Sequence, residues 1–329
     1  MAGQPGFNDS EPHDQPVTSI PVDAQENRAT QEKPDAKRNI RDPRPEKDER
    51  RADRAVSRMQ DNAPQANQSC ASSPFSPPKE NDTTFVIDCG SGLDTGCTYR
   101  NGGPLVFTIK VDRVVGNVQK LKDNHLISEN ATLQMPAFDV DYFGGGQGFN
   151  PERDRVTFNG HVVPTEFLRG DNNIWILNEF SVPIEWVNFP ADPGRGNSVT
   201  PADNTIRIDI DTANSDLVWC TSIDWAALKF QVVRPIVMVH GIFSSGDAWN
   251  KAGFSWKNKL DSLGILNNGT ALSMGYLDSI GSNAGKIANE VSIAKQRWGV
   301  DKVNLVCHSK GGIDARHYVE NNDSVERVI

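Results

Sequence analysis

The chain has 329 residues, 37% of them hydrophobic, and a net charge of −9. That charge leaves no electrostatic footprint for nucleic acid. No window approaches the ~18 consecutive apolar residues of a membrane-spanning helix, so no transmembrane segment is expected.

The first 80 or so residues are rich in Pro, Asp, Glu, Arg, Gln and Asn and nearly free of aromatics. Such a stretch cannot bury enough apolar surface to offset the entropy of ordering it, which predicts a disordered tail over 1–80. Between Lys33 and Arg58 acidic and basic side chains are intermixed, as in a solvated polyampholyte. The opening MAGQPGFNDSEPHDQP has neither the basic start nor the apolar core of a secretory signal peptide, and the compartment is left open.

From Thr83 to Val233 short alternating runs take over: FVID, PLVFTIKVD, DRVTFNG, NIWILNEFSVPIEWV, TIRIDID and ALKFQVV. Gly, Asn, Asp and Pro separate them, and no helical period is evident. Many half-buried strands are satisfied by two packed sheets, which predicts an all-β, sandwich-like domain over 83–233. Trp175, Trp186, Trp219 and Trp225 are expected to pack in its core or along its edges. This domain also offers a surface for a protein partner, which supports a second reading of the chain as a surface or interaction protein.

Two acidic stretches invite a calcium reading: Asp139 with Asp141, and Asp209, Asp211, Asn214 and Asp216. The spacing lacks the closing Gly and Glu of an EF-hand loop, and strand alternation puts Asp209 and Asp211 together on a solvent face. No metal and no cofactor is therefore expected. GGGQG at Gly144–Gly148 lacks the Gly-Lys-Ser/Thr ending of a phosphate cradle and is expected to be a loop. Cys89 and Cys97 bracket a short loop, and the sequence leaves open whether they form a disulfide or two thiols.

At Arg234 the pattern changes. IVMVH is a continuous apolar run suited to a strand covered on both faces. A helix carrying Trp256, Leu260 and Leu263 should follow and end at Gly264, with ALSMGY near Ala271 as a second strand. Ala284, Ile287, Ala288, Val291, Ala294 and Trp298 mark an amphipathic helix stopped by Gly299. Val303–Cys307 is the next strand, and strand–helix alternation of this kind predicts a parallel, doubly wound sheet. In VNLVCHSKGGIDARHYV, Ser309 falls at the apex of a strand–turn–helix, within Cys307-His308-Ser309-Lys310-Gly311. That arrangement lifts a hydroxyl out of the end of a sheet, and Gly311 allows strand and helix to approach closely.

PIVMVHGIFSSGDAW, taken with SNAGKIANEVSIAKQRWGVDKVNLVCHSKGGIDARHYV, resembles a bacterial lipase or esterase of the α/β-hydrolase fold over about residues 234–329. The resemblance implies a carboxylic-ester hydrolase acting on an ester or lipid substrate, with Ser309 as nucleophile. It implies an oxyanion hole made by the backbone N–H groups of Ile242 and Lys310, with His240, Gly241 and Gly311 as supporting residues. The histidine and carboxylate of a triad should come after the elbow, and no residue beyond Gly311 fits either role. Asp314 and His317 lie on the departing helix, and SVERVI reads as the start of another strand. The expectation is thus the N-terminal part of a hydrolase domain, inactive as this chain.

Overall fold

A computed structural model describes residues 73–90, 92–143, 150–214, 219–251 and 253–329. The tail expected over 1–80 lies outside the described residues up to residue 72, and the Gly144–Gly148 loop and Asp216 lie outside them entirely.

The first described segment is β-rich, with several sheets. Its strands are β1 (Thr84–Ile87), β2 (Thr98–Tyr99), β3 (Leu105–Val111), β4 (Asn130–Phe138), β5 (Arg155–Phe158), β6 (His161–Phe167), β7 (Trp175–Pro183), β8 (Ala202–Asp209), β9 (Cys220–Ile223) and β10 (Ala226–Lys229). One sheet runs β1-β10-β4-β9-β2, with β7 along the other edge of β4; a second runs β3-β8-β5-β6. Both are antiparallel. Alternation decides what they bury: Leu105, Phe107, Ile109 and Val111 point inward from β3, and Ala131, Leu133, Met135 and Ala137 from β4. These side chains belong to one apolar cluster, so the two sheets share a core.

A short helix, α1 (Val118–Asp123), corrects the expectation that this segment is free of helix. Six residues are too few to show a period in sequence. Its start is fixed instead by the Asn117 side chain, which accepts from the Lys120 N–H at 3.0 Å.

Cys97 is bonded to Cys220, with Cα atoms 5.3 Å apart, so neither alternative left open by the sequence, a Cys89–Cys97 disulfide or two thiols, holds. The ladder explains the choice: β2 pairs with β9 so that Thr98 faces Thr221 and Tyr99 faces Cys220, and this draws Cys97 across to the neighbouring strand. Among the tryptophans, Trp225 is buried and donates its indole N–H to the Phe75 carbonyl at 2.7 Å. Trp186 stacks on His161, and Trp175 packs against Phe138.

The remaining elements are β11 (Ile236–Val239), the two-residue strands β12 (Asn250–Lys251) and β13 (Phe254–Ser255), α2 (Trp256–Leu263), α3 (Ile280–Trp298), β14 (Val303–Cys307), α4 (Lys310–Val319) and β15 (Val325–Val328). β14 lies between β11 and β15 in a parallel sheet. Ser255 and Ser279 cap α2 and α3 at their N-termini, and Gly264 and Gly299 end them in left-handed backbone. Ile287, Val291, Ala294 and Trp298 of α3 pack with Val237, Val239, Val303 and Leu305 of the sheet. The larger core also takes in Ile236, Met238, Leu260 and Ile265, so apolar packing continues across residue 234.

The strand expected at ALSMGY does not form; residues 271–275 have no ladder partner. Leu272 and Met274 are buried in alternation, as in a strand, but side chains take the ladder's place. His240 Nε2 accepts from the Met274 N–H at 3.0 Å, and Asn268 Oδ1 accepts from the Met238 N–H at 2.8 Å. Among the described residues no helix is long and apolar enough to cross a membrane.

Candidate functional site

The turn between β14 and α4 has Ser309 at φ 55°, ψ −128°, a backbone region that costs a non-glycine residue roughly 1–3 kcal/mol. Its side chain is exposed and makes no capping hydrogen bond to the helix it begins. The strained turn therefore presents the hydroxyl outward.

Two glycines let the backbone close around this point. A Cβ on Gly311 would come within 2.4 Å of the His240 carbonyl oxygen and 2.8 Å of that of Val239, so α4 reaches β11 only without a side chain there. A Cβ on Gly241 would come within 2.7 Å of both Ser309 Cβ and the His308 carbonyl oxygen. The loop after β11 thus packs directly on Ser309, and Ile242 is its next residue. The amides of Ile242 and Lys310 make no hydrogen bond to any described residue.

His240 is fully buried. Its Nε2 accepts from Met274, so the neutral ring carries its proton on Nδ1, which faces the Gly241 carbonyl oxygen at 3.1 Å. Both ring nitrogens are occupied, and His240 holds the loop in place.

Lys310 turns its ammonium away from the serine to the buried Asp314 carboxylate, at 2.8 Å and 2.9 Å. Asn283 of α3 donates to the same carboxylate at 2.9 Å and to the Gly275 carbonyl at 3.0 Å. This network ties the first turn of α4 to α3. Sequence reasoning missed it because Asn283 sits within an otherwise apolar helical pattern. His308 and His317 are exposed, and no histidine among the described residues hydrogen-bonds to Ser309. Cys307, one strand position below the turn, is a free thiol whose burial pushes its pKa up to about 12, which excludes it as a nucleophile near neutral pH.

The Gly241 loop, the segment leading into α3 and the first turns of α3 and α4 carry exposed apolar side chains. Ile242, Phe243, Tyr276, Leu277, Ile280 and Ile313 are exposed, Phe243 by 78% and Leu277 by 73%. The Phe243 and Tyr276 rings touch, with centroids 5.3 Å apart, joining the Gly241 loop to the segment before α3. Two clefts, of about 420 and 510 Å³, lie elsewhere and are not lined by Ser309.

No family model matches this chain, and no curated protein matches it. Among solved structures it is similar to a mutant of Xylanase10C from Cellvibrio japonicus in complex with xylopentaose, at 12% identity and a TM-score of 0.18. The match takes in 68% of this chain and 44% of that one. The resemblance to a bacterial lipase or esterase of the α/β-hydrolase fold is corrected accordingly, and no family is assigned. Its two motifs are short, and a serine elbow or a His-Gly loop can be built by unrelated strand–helix connections. A TM-score of 0.18 likewise carries nothing from the xylanase to this chain.

The acidic stretches also differ from expectation. Asp209 pairs with Arg207, but Asp211 does not share its solvent face. β8 ends at Asp209, and the left-handed backbone of Asp211, at φ 46°, turns its side chain inward. Cys97, Asp139 and Cys220 lie together as three metal-type ligands, yet the two sulfurs are joined in the disulfide and offer no thiolate.

Proposed function

We propose that Ser309 is the nucleophile of a carboxylic-ester hydrolase. The observation that carries this reading is the strained turn that leaves Ser309 exposed, with the Gly241 loop so near that a Cβ on Gly241 would fall 2.7 Å from Ser309 Cβ. In the reaction Ser309 Oγ attacks the ester carbonyl carbon, and the amides of Ile242 and Lys310 receive the charge that develops on the carbonyl oxygen. The carbon–oxygen bond to the alcohol breaks, the alcohol leaves, and water then releases the acid from the serine. The apolar patch of Phe243, Tyr276, Leu277 and Ile313 suits the acyl side of an ester or lipid.

Proton transfer from Ser309 needs a base, and no histidine is bonded to it. The chain alone is therefore expected to turn over esters near background. An oxyanion hole by itself leaves about 10³–10⁴-fold acceleration over water. Imidazole added to the assay supplies the missing base. The test is incubation with a p-nitrophenyl ester and imidazole, followed by peptide mass spectrometry. Acylation of Ser309, abolished in Ser309→Ala, is the expected result. No acylation of Ser309, or a rate above the imidazole-only background that is equal in Ser309→Ala, would place the chemistry elsewhere.

A further inference from the structure

We propose that Glu152 and Asp154 hold one proton between them and act as a pH-operated latch on β9, closed while the proton is present and released in alkaline solution. The two residues lie just ahead of β5 in one sheet, and Thr221, which touches both, lies on β9 in the other. All three are 0% exposed.

Glu152 Oε2 accepts from the Asp141 N–H at 2.7 Å, and Asp154 Oδ1 accepts from the Asp211 N–H at 2.8 Å. The remaining oxygens, Glu152 Oε1 and Asp154 Oδ2, both contact the Thr221 hydroxyl, and the two carboxyl groups hydrogen-bond to each other. Ionised carboxylates only accept, so a bond between them needs a proton on one. Asp154 has two other donors, the Asp211 N–H and the Thr221 hydroxyl, which approaches it more closely than it approaches Glu152. Asp154 is therefore the ionised member, and Glu152 keeps the proton and donates it to Asp154. Burial, and then the Asp154 charge, push the Glu152 carboxyl well above its ordinary range.

The charged surroundings hold the proton in place. Asp141 and Asp211 are the other charges acting on the pair, and both are acidic. Burial, with Asp139 and Asp171 nearby, pushes Asp141 up to about 6, so it is ionised above pH 7. Arg153 turns its guanidinium onto the Tyr142 ring, 4.3 Å from the centroid, and donates to the carbonyls of Tyr142 and Glu152. Arg155 pairs instead with Glu166 of β6. From β9 the pair receives only the Thr221 hydroxyl. Loss of the shared proton leaves two buried anions in contact, and separation relieves them. β9 is the element able to yield: it has four residues, and only Ser222 and Ile223 pair with β4. In the unfolded chain both carboxyls ionise at about pH 4. Folding therefore takes up a proton, and the stability it brings is full below that range and lost as pH rises towards the folded value.

The experiment uses the whole chain, with no dependence on Ser309, beside Glu152→Gln, whose amide can donate to Asp154 at every pH. Urea unfolding is measured from pH 7 to pH 9. The unfolding constant of the unmodified chain, divided by that of the variant, should rise about tenfold per pH unit. The infrared spectrum of the unmodified chain at pH 8 should show the carbonyl stretch of a protonated carboxyl, which Glu152→Gln removes. Amide exchange in β9, referred to that in β11, should quicken between pH 7 and pH 9 in the unmodified chain alone. Should the variant fold poorly, the infrared band and the β9 exchange of the unmodified chain decide the matter. No protonated carboxyl at pH 8, a flat ratio of unfolding constants, or β9 exchange that keeps step with β11 would overturn the latch.

Discussion

Ser309, Gly311 and Gly312 stand next to one another and ask for different things from the backbone. Ser309 occupies a region that suits glycine, so a hydroxyl there is held at the expense of stability. Ser309→Gly should raise the unfolding free energy by about 1–3 kcal/mol in urea denaturation, with no gain from Ser309→Ala, which keeps a Cβ. Equal effects of the two variants would mean that the turn stores no strain. Gly311→Ala drives a methyl to within 2.4 Å of a backbone carbonyl and should cost about 1–3 kcal/mol. Gly312 faces open space up to 3.9 Å from Cys307 Cβ, so Gly312→Ala should instead gain up to ~1 kcal/mol of helix propensity. The same denaturation curves check both, and matching signs for the two glycines would refute the close-approach argument. The serine and Gly311 were legible in sequence because they form a local pattern. The bonding of His240 to Met274 was not, since the two residues are distant in the chain.

Among the elements, legibility followed regularity. β3 alternates cleanly over Leu105–Val111 and is plain in the sequence. β4 is longer and more central; Asn130, Thr132 and Gln134 keep its alternation, but Pro136 breaks the pattern. Pro136 is tolerated because β10 covers only Thr132–Gln134 and β9 only Ala137–Phe138, which leaves a gap where a ladder N–H would be needed. Contacts between distant elements were equally hidden. Asp82, just before β1, pairs with Arg113 and with Arg234, each at 2.9 Å, and accepts from the Asp301 N–H at 3.2 Å. Arg113 is 1% exposed, and its burial outweighs the attraction of Asp82, lowering its pKa to about 10. Removing the carboxylate would strand a buried guanidinium. Asp82→Ala should therefore cost about 3–5 kcal/mol, more than an exposed pair such as Arg316–Glu320 could contribute. A loss below ~1 kcal/mol on urea denaturation would show that water reaches Arg113.

At the scale of the molecule, the Cys97–Cys220 bond closes a loop with a sequence separation of 123 and spans most of the β-rich segment. A cross-link of that length removes much of the freedom of the unfolded chain. The loop-entropy model gives about 4–5 kcal/mol, and native disulfides typically contribute about 2–5 kcal/mol. The bond presupposes an oxidising environment, since cytosolic thiols are kept reduced. Its position also couples it to the buried carboxylates, because Cys220 adjoins Thr221 on β9 and the Thr221 hydroxyl bridges Glu152 and Asp154. Releasing Cys220 should loosen β9 at the point where Thr221 meets the buried carboxylates. Cys97→Ser with Cys220→Ser is expected to lower the unfolding free energy by about 2–5 kcal/mol and to reduce the further loss caused by Thr221→Val. Four unfolding curves, with and without the bond and with and without the Thr221 hydroxyl, measure both effects. If the losses simply add, β9 holds its register without the disulfide and the Thr221 contacts form independently of it. Non-additive losses are the expected result, because a strand of four residues depends on its cross-link and its neighbours to stay in place.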